Sequence, residues 1–451
     1  MKIALATKSA FDGFNPSPTH ERLLNCFLSG TTVRPCPGLV AFSSVPGPWL
    51  REMKQIGDEL WAVSAGRLYF ITEVGVAAYQ VDVPDDQNTV LKGHRDDVTI
   101  SVAGDYGVFS DGSISYPGGG RFDDVGSLAF LNNYTVMSQR GGQEIQWSDA
   151  GLPETLNALN FATSDARDDN IIRIINHNAY LWVFKERSFE IWQVTASGFK
   201  RIPSEVKNRG LKGFRLVYSS DKGLLTVTTD NLPRIDDSPI GGPNIVRAIS
   251  NNDLTNVFYY EYDGHQFCVF RFSDRPAFVF DLATKLWHER TGPDGSGAWQ
   301  ITHSAFAWGQ WFLGSNTGTI YTLSDVPVDD GQPLPRVLVS QPFRMKKGTV
   351  DSLEVYGRSG ASEIGVDAVG DDSRVINNAD KRAPTIQMEM SKDGGFTYDD
   401  ARRNDFGKVG DYAKRVEWRN LGMCDYSLTF RLTMTDPVDT TLEVEADLSV
   451  S

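Results

Sequence analysis

Apolar residues fall at every second position over much of this chain. In Leu428-Thr429-Phe430-Arg431-Leu432-Thr433-Met434-Thr435, a strand puts Leu, Phe, Leu and Met on one face. Ile386-Gln387-Met388-Glu389-Met390 and Leu442-Glu443-Val444-Glu445-Ala446 alternate in the same way. Long stretches with a period of 3.6 are scarce. Gly, Asp and Asn break the strands at short intervals, and these residues suit turns. The pattern predicts an all-β protein.

A unit recurs through the first three quarters of the chain: an apolar strand, a tight polar turn, then a second strand rich in aromatics. It is clearest in Leu60 to Phe70, Tyr106 to Tyr116, Tyr180 to Trp192 and Trp311 to Tyr321. With starts at 60, 98, 128, 179, 224, 265 and 306, the copies lie 41 residues apart on average. Four-stranded propeller blades repeat at about 40–50 residues, and blades bury their faces only by stacking around an axis. The expectation is a β-propeller of six to seven blades over residues 51–330. A linker is expected over 331–340, where the run from Val328 to Pro335 concentrates Asp, Gly and Pro. A β-sandwich-like domain is expected over 341–451. Residues 1–50 are read as an N-terminal arm or a segment that closes the propeller, with a short helix starting in Ser17-Pro18-Thr19-His20-Glu21-Arg22.

Composition narrows the function. The 451 residues carry a formal charge of −14, which disfavours a surface that grips nucleic acid or an anionic membrane. The N-terminus turns polar too early for a signal-peptide core, and the richest apolar run, Val74 to Tyr79, is far short of a membrane helix. Cys26, Cys36, Cys268 and Cys424 show no C-x-x-C spacing. Free thiols, made in a reducing cytoplasm, are expected.

No constellation of catalytic, cofactor-binding or metal-ligating residues stands out, so no site residues and no cofactors are assigned. Asp pairs recur at 85–86, 96–97, 123–124, 168–169, 236–237, 329–330, 371–372 and 399–400. They suit turns better than calcium, because no stretch has the alternating acids of an EF-hand loop. Paired acids for glycoside cleavage are conceivable, but nothing selects two among 58. The histidines, His20, His94, His177, His265, His288 and His303, form no H-E-x-x-H. G-x-S-x-G, P-loop and G-x-G-x-x-G motifs are missing too, which removes the familiar hydrolase and nucleotide-binding templates. Ser391-Lys392-Asp393-Gly394-Gly395-Phe396-Thr397-Tyr398 resembles the Asp-box turns of sialidase propellers. It occurs once, outside the repeats, and is read as structural. Gly93-His94 resembles the start of a WD40 blade, but no Trp-Asp dipeptide follows. Residues 401–420 reverse the charge locally: Arg402, Arg403, Lys408, Lys414, Arg415 and Arg419 face Asp405, Asp411 and Glu417. This stretch docks an acidic partner, contacts nucleic acid phosphate or is a solvated strand face, with nucleic acid the least favoured of the three.

Several blocks together carry a resemblance. Asp263-Gly264-His265-Gln266-Phe267, with Phe278-Val279-Phe280-Asp281-Leu282-Ala283-Thr284-Lys285-Leu286-Trp287-His288-Glu289-Arg290, resembles a signature of the tail hub, or packaged-DNA stabilisation, proteins of short-tailed, podovirus-type phages. Ile145 to Asp149, Leu181 to Phe184, Phe189 to Trp192, Arg22 to Phe27 and Arg34 to Leu39 are similar to the same family. So is the C-terminal run from Ser391 to Tyr398, Gly407 to Gly410, Arg415 to Trp418 and Phe430 to Val438. The likeness covers most of the chain in scattered blocks. It implies a structural virion protein rather than an enzyme, synthesised in the host cytoplasm. It implies a ring, expected to be a homohexamer, below the portal and its adaptor, which holds the tail needle, tailspikes or fibres. The ring would close the filled head and form part of the ejection channel, with DNA passing through unbound by sequence and no membrane in the assembled state. A phage receptor-binding propeller that binds or cleaves glycans is the alternative, and a host scaffold propeller is a third. Trp287 is expected to be a buried blade anchor.

Overall fold

The apolar runs pair through tight turns of the kind their sequence favours. Asp111-Gly112 and Asp263-Gly264 both hold positive φ at the two central positions (48° and 79°, 51° and 77°). A two-residue hairpin turn that matches strand twist needs this geometry. The structure, a computed structural model, describes residues 1–6, 21–94, 97–196, 198–359, 384–407 and 415–451.

Seven β-sheets follow one another along the chain. Blade 1 covers 50–82, blade 2 90–115, blade 3 125–163, blade 4 171–207 and blade 5 217–239, each of four antiparallel strands. Blade 6 covers 254–290, also with four strands. Blade 7 takes three strands from 301–324 and a fourth, Gly38–Ser44, from near the N-terminus. The first strand of each blade packs against the first strand of the next, and that of blade 7 packs against that of blade 1. The circuit is therefore closed. Its energetics follow the same plan, because seven apolar clusters fill the seven gaps between neighbouring blades. Each blade is apolar on both faces, so burial is complete only when the ring closes.

Most of the recurring sequence unit is the second and third strands of a blade, as in Leu60 to Phe70 and Trp311 to Tyr321. The true first strands start at 50, 90, 125, 171, 217, 254 and 301. They escaped the pattern because charged residues interrupt several of them, among them Glu52, Lys54, Lys92 and Arg173.

The C-terminal part is a sandwich of two sheets around a core that includes Leu353, Met388, Trp418, Phe430 and Leu448. Both chain ends build it. Lys2–Ala4 and Thr32–Pro35 pair with the last strand, Thr440–Val450. Arg22–Leu24 lies between the outer strand of blade 6, Trp287–Arg290, and Arg336–Val339, which pairs in turn with Ser427–Met434. Blade 6 and one sandwich sheet are thus a single ten-stranded sheet.

Two expectations differ from this picture. The stretch 331–340 is no exposed spacer: Arg336–Val339 is a paired strand, and Leu334, Arg336 and Leu338 are buried. Arg336 donates to the Val438 carbonyl and the Thr440 hydroxyl at 2.8 Å each, so it binds the strand to the sandwich. The helix expected from Ser17 does not include Arg22, which opens a strand, and residues 17–20 lie outside the described residues. The one helix among the described residues is Pro243–Asn251. It starts with Pro and buries Ile245 and Ile249, one turn apart, over the gap between blades 5 and 6.

Candidate functional site

Burial and local bonding account for most of the residues singled out from the sequence. Trp287 is buried between Phe270 and Phe280, with ring centroids 5.3 and 5.0 Å away. The four cysteines are free and buried. In the stretch from Ser391 to Tyr398, the Asp393 carboxylate accepts the Phe396 and Thr397 amides at 3.0 Å and the Thr397 hydroxyl at 2.6 Å. These bonds hold its carboxyl well below the usual range, chiefly those from the Ser391 and Thr397 hydroxyls. Its role is that of a turn.

The Asp pairs divide between turns and ion pairs. Asp236 and Asp237 both have positive φ in a hairpin turn. Asp86 accepts from the Asn88 and Ala103 amides and from Arg140. Asp329 is buried against Arg290 at 3.0 Å. Asp96 and the pair 371–372 lie outside the described residues. Among the described residues no group of three or more His, Cys, Asp or Glu converges as a metal would require.

The described histidines are spread over the blades, and only His265 and His288 come close, both packed on Phe27 and Phe267. His265 bonds Asp281 at 2.7 Å and Ser29 at 3.0 Å. His94 meets Thr135 at 2.7 Å. Burial pushes the His288 imidazole down to about 3. Burial, then the Arg215 charge, pushes His303 well below its ordinary value. His20 lies outside the described residues. His177 bonds Ser219 at 3.0 Å and lies 3.2 Å from Asp236. With Tyr180, Trp182, Ile202 and Glu205 it lines a cleft of about 410 Å³ between blades 4 and 5.

In the basic stretch 401–420, some of the described cations pair with acids. Arg415 meets Glu354 at 3.2 Å and Arg419 meets Glu417 at 2.7 Å. Arg402 donates to the Arg419 and Asn420 carbonyls. This matches a solvated strand face. Lys408, Asp411 and Lys414 lie outside the described residues.

A charged cluster that the sequence did not reveal lies on the propeller axis. Glu52 and Lys54 of blade 1, Lys92 of blade 2 and Arg173 of blade 4 stand on first strands, and Arg215 just precedes that of blade 5. Each is half-buried. Arg215 reaches across the axis: its Nε donates to the Gln87 carbonyl at 2.9 Å, and a terminal nitrogen lies 2.8 Å from His303 Nε2 of blade 7. It also donates to the Arg51 carbonyl of blade 1. These bonds close one end of the axis. At the other end, where the first strands finish, a cavity of about 340 Å³ opens past Lys54, Tyr218, Asp221, Ser304 and Phe306. Burial, then the charges of Lys54 and Arg173, pushes the Lys92 ammonium down to about 7. Burial lowers Lys54 and Arg173 as well, and Glu52 opposes the shift in both. The sequence signal was slight: a single charge in the first strands of blades 2 and 4, Lys92 and Arg173, and a charged run, Arg51, Glu52 and Lys54, in that of blade 1.

The fold defines a class, a seven-bladed β-propeller whose sixth blade continues into a β-sandwich. Two family models match the chain. One, described as Bacteriophage P22 Gp10, beta-propeller, matches residues 21–231, and the other, Bacteriophage P22 Gp10, beta-sandwich, matches residues 336–448. No curated protein matches by sequence. Among solved structures, the chain is similar to the Pan2 WD40 domain of Neurospora crassa, at 10% identity over 66% of this chain and 97% of that one, with a TM-score of 0.42. It is similar to the N-terminal domain of Nup159 (12% identity, 70% and 99% covered, TM-score 0.40). It is also similar to BamB from Moraxella catarrhalis (9% identity, 72% and 98% covered, TM-score 0.38). The two family models together span more than two thirds of the chain, one on each part of the fold. The chain belongs to the P22 Gp10 family, the podovirus tail hub and DNA-stabilisation proteins. It is a structural protein of a phage tail, and its place is in the virion.

Proposed function

We propose that this chain forms the hub of a short phage tail: a ring, expected to have six subunits, below the portal and its adaptor. The ring closes the filled head, retains the packaged DNA and continues the channel through which the genome leaves. It also anchors the needle, tailspikes or fibres. The match of both family models, one to each domain, carries this reading. Two further features support it. The net charge of −14 suits a wall past which a polyanion slides without sticking. The continuous sheet between propeller and sandwich suits a subunit that must hold its shape in a ring. Arg215 closes one end of each propeller axis, so the DNA conduit is assigned to the centre of the ring, between subunits.

Electron microscopy of the purified chain, alone and with adaptor, tests the proposal. Six-fold rings are expected, without turnover of host surface glycans. A stable monomer with glycosidase activity overturns it. In assembled virions, neutralising acids that face the ring lumen should slow ejection, and an unchanged rate removes the sliding argument.

The cleft between blades 4 and 5 favours a second reading, a glycan-binding surface. The Trp182 ring lines it, its buried indole N–H without a partner, beside the exposed Tyr180 and the acids Glu205 and Asp236. Saturable binding of host surface saccharides, lost in Trp182→Ala, is the result expected from that reading.

A further inference from the structure

The axial cluster is unbalanced. Four cations, Lys54, Lys92, Arg173 and Arg215, share the space with one acid, Glu52, in a chain whose overall charge is negative. Neighbouring charges are already committed: Arg51 pairs with Asp85 at 2.7 Å and Asp86 with Arg140 at 2.9 Å. The Lys92 carbonyl accepts from the Thr99 hydroxyl, but neither the Lys54 nor the Lys92 ammonium has a hydrogen-bond or ion-pair partner among the described residues. Arg173 donates one terminal nitrogen to the Phe214 carbonyl at 2.9 Å and stacks on that ring, but its buried Nε has no partner. Partly desolvated like charges repel, and unpaired buried donors are costly. An arrangement whose donors outnumber its single carboxylate in this way is an anion site by its chemistry.

We propose that the propeller axis binds a small, multiply charged oxyanion, a phosphate-type group, held by Lys54, Lys92 and the free Nε edge of Arg173. The anion enters through the cavity of about 340 Å³ at the open end and stops short of Arg215. A double helix is excluded, because its major groove alone is about 12 Å wide and the far end of the axis is closed. The ligand is therefore free inorganic phosphate or the phosphate of a small ester such as a nucleotide. Glu52 limits the excess charge, which favours a dianion over a longer polyanion. Once bound, the anion would tie blades 1, 2 and 4 together across the axis. The proposal does not rest on the hub reading.

Calorimetric titration of the full chain tests it, with sulfate as a probe whose charge is constant across neutral pH. Inorganic phosphate, a nucleoside 5′-monophosphate and a short DNA duplex form the other arms. Saturable millimolar or tighter binding of sulfate and phosphate is expected. Lys54→Met and Lys92→Met should each weaken it by about tenfold or more, with an unchanged or raised melting temperature in anion-free buffer. Glu52→Gln should tighten it. Tighter binding of the monophosphate than of phosphate identifies an ester as the ligand, and equal binding identifies the free ion; both support the site. Absence of saturable binding, affinity unchanged in both lysine variants, or displacement of sulfate by duplex DNA overturns it.

Discussion

Arg290 offers a direct test of how the two domains are held together. It ends the outer strand of blade 6, and its guanidinium is wholly buried. One terminal nitrogen donates to the Thr291 carbonyl at 2.7 Å and to Asn25 Oδ1 at 3.2 Å. The other donates to the Pro37 carbonyl at 3.0 Å and to both Asp329 oxygens, at 3.0 and 3.2 Å. The Trp299 ring lies 4.9 Å from the guanidinium carbon. One side chain therefore fastens the N-terminal segment, blade 6 and the passage from propeller to sandwich. Asp329→Asn keeps the shape but removes the one carboxylate that, among the described residues, bonds the buried Arg290. Removing one partner of such a pair costs about 3–5 kcal/mol. The retained carbonyl bonds place this case toward the lower figure, about 3 kcal/mol. The urea midpoint of the full chain should fall by that amount divided by the slope, with the slope unchanged. A double variant, Arg290→Met with Asp329→Leu, removes both charges at once. It should recover most of the loss, because the pair repays its own desolvation only in part. A loss below about 1 kcal/mol in Asp329→Asn refutes the reasoning, as does a double variant no more stable than the single one.

Three other perturbations follow from the same geometry. Trp287→Ala should cost about 3–5 kcal/mol by denaturant titration; a cost below about 1 kcal/mol means that the ring is not the anchor its burial indicates. Leu39→Ala, in the strand that completes blade 7, should cost about 2–5 kcal/mol, and an unchanged midpoint would show that closure does not depend on this contact. His288 titrates near 3 in the fold against an ordinary 6.5, so the unfolded chain binds its proton first. The stability from this group is complete above pH 6.5 and falls as the pH drops toward 3, by about 1.4 kcal/mol per unit. His288→Phe, placed among Phe27 and Phe267, should flatten the acid limb of the stability profile, and a parallel profile counts against the assignment.

The propeller was legible because its second and third strands carry long aromatic and β-branched runs, such as Tyr180 to Trp192, that repeat at nearly constant spacing. The sandwich was legible from strict alternation in Leu428 to Thr435. The clasp between them was not. Arg22–Leu24 and Lys2–Ala4 are three residues long, too short to show any period, and their partners lie hundreds of residues away. Asp329 looked like a turn residue, and in a run of Asp, Gly and Pro nothing marks it as the buried partner of Arg290. The axial cations were hidden for another reason. They come from separate blades, far apart in the sequence, and only closure of the ring brings them together. Function came from blocks of family likeness rather than from any catalytic pattern.

The placing of Gly38–Ser44 in blade 7 sets a timetable for synthesis. Its partner, Thr319–Ser324, leaves the ribosome about 275 residues later. At about 5–20 residues per second the wait is about 14–55 s. Throughout that time Gly38-Leu39-Val40-Ala41-Phe42-Ser43-Ser44 is an uncharged, largely apolar strand without a partner, the kind of segment that recruits other chains. Blades 1 to 5 are emerging meanwhile, and no strand of theirs pairs with it. Slower translation lengthens the exposure and faster translation shortens it. Soluble yield of this protein therefore depends on elongation rate and on the number of nascent chains present at once.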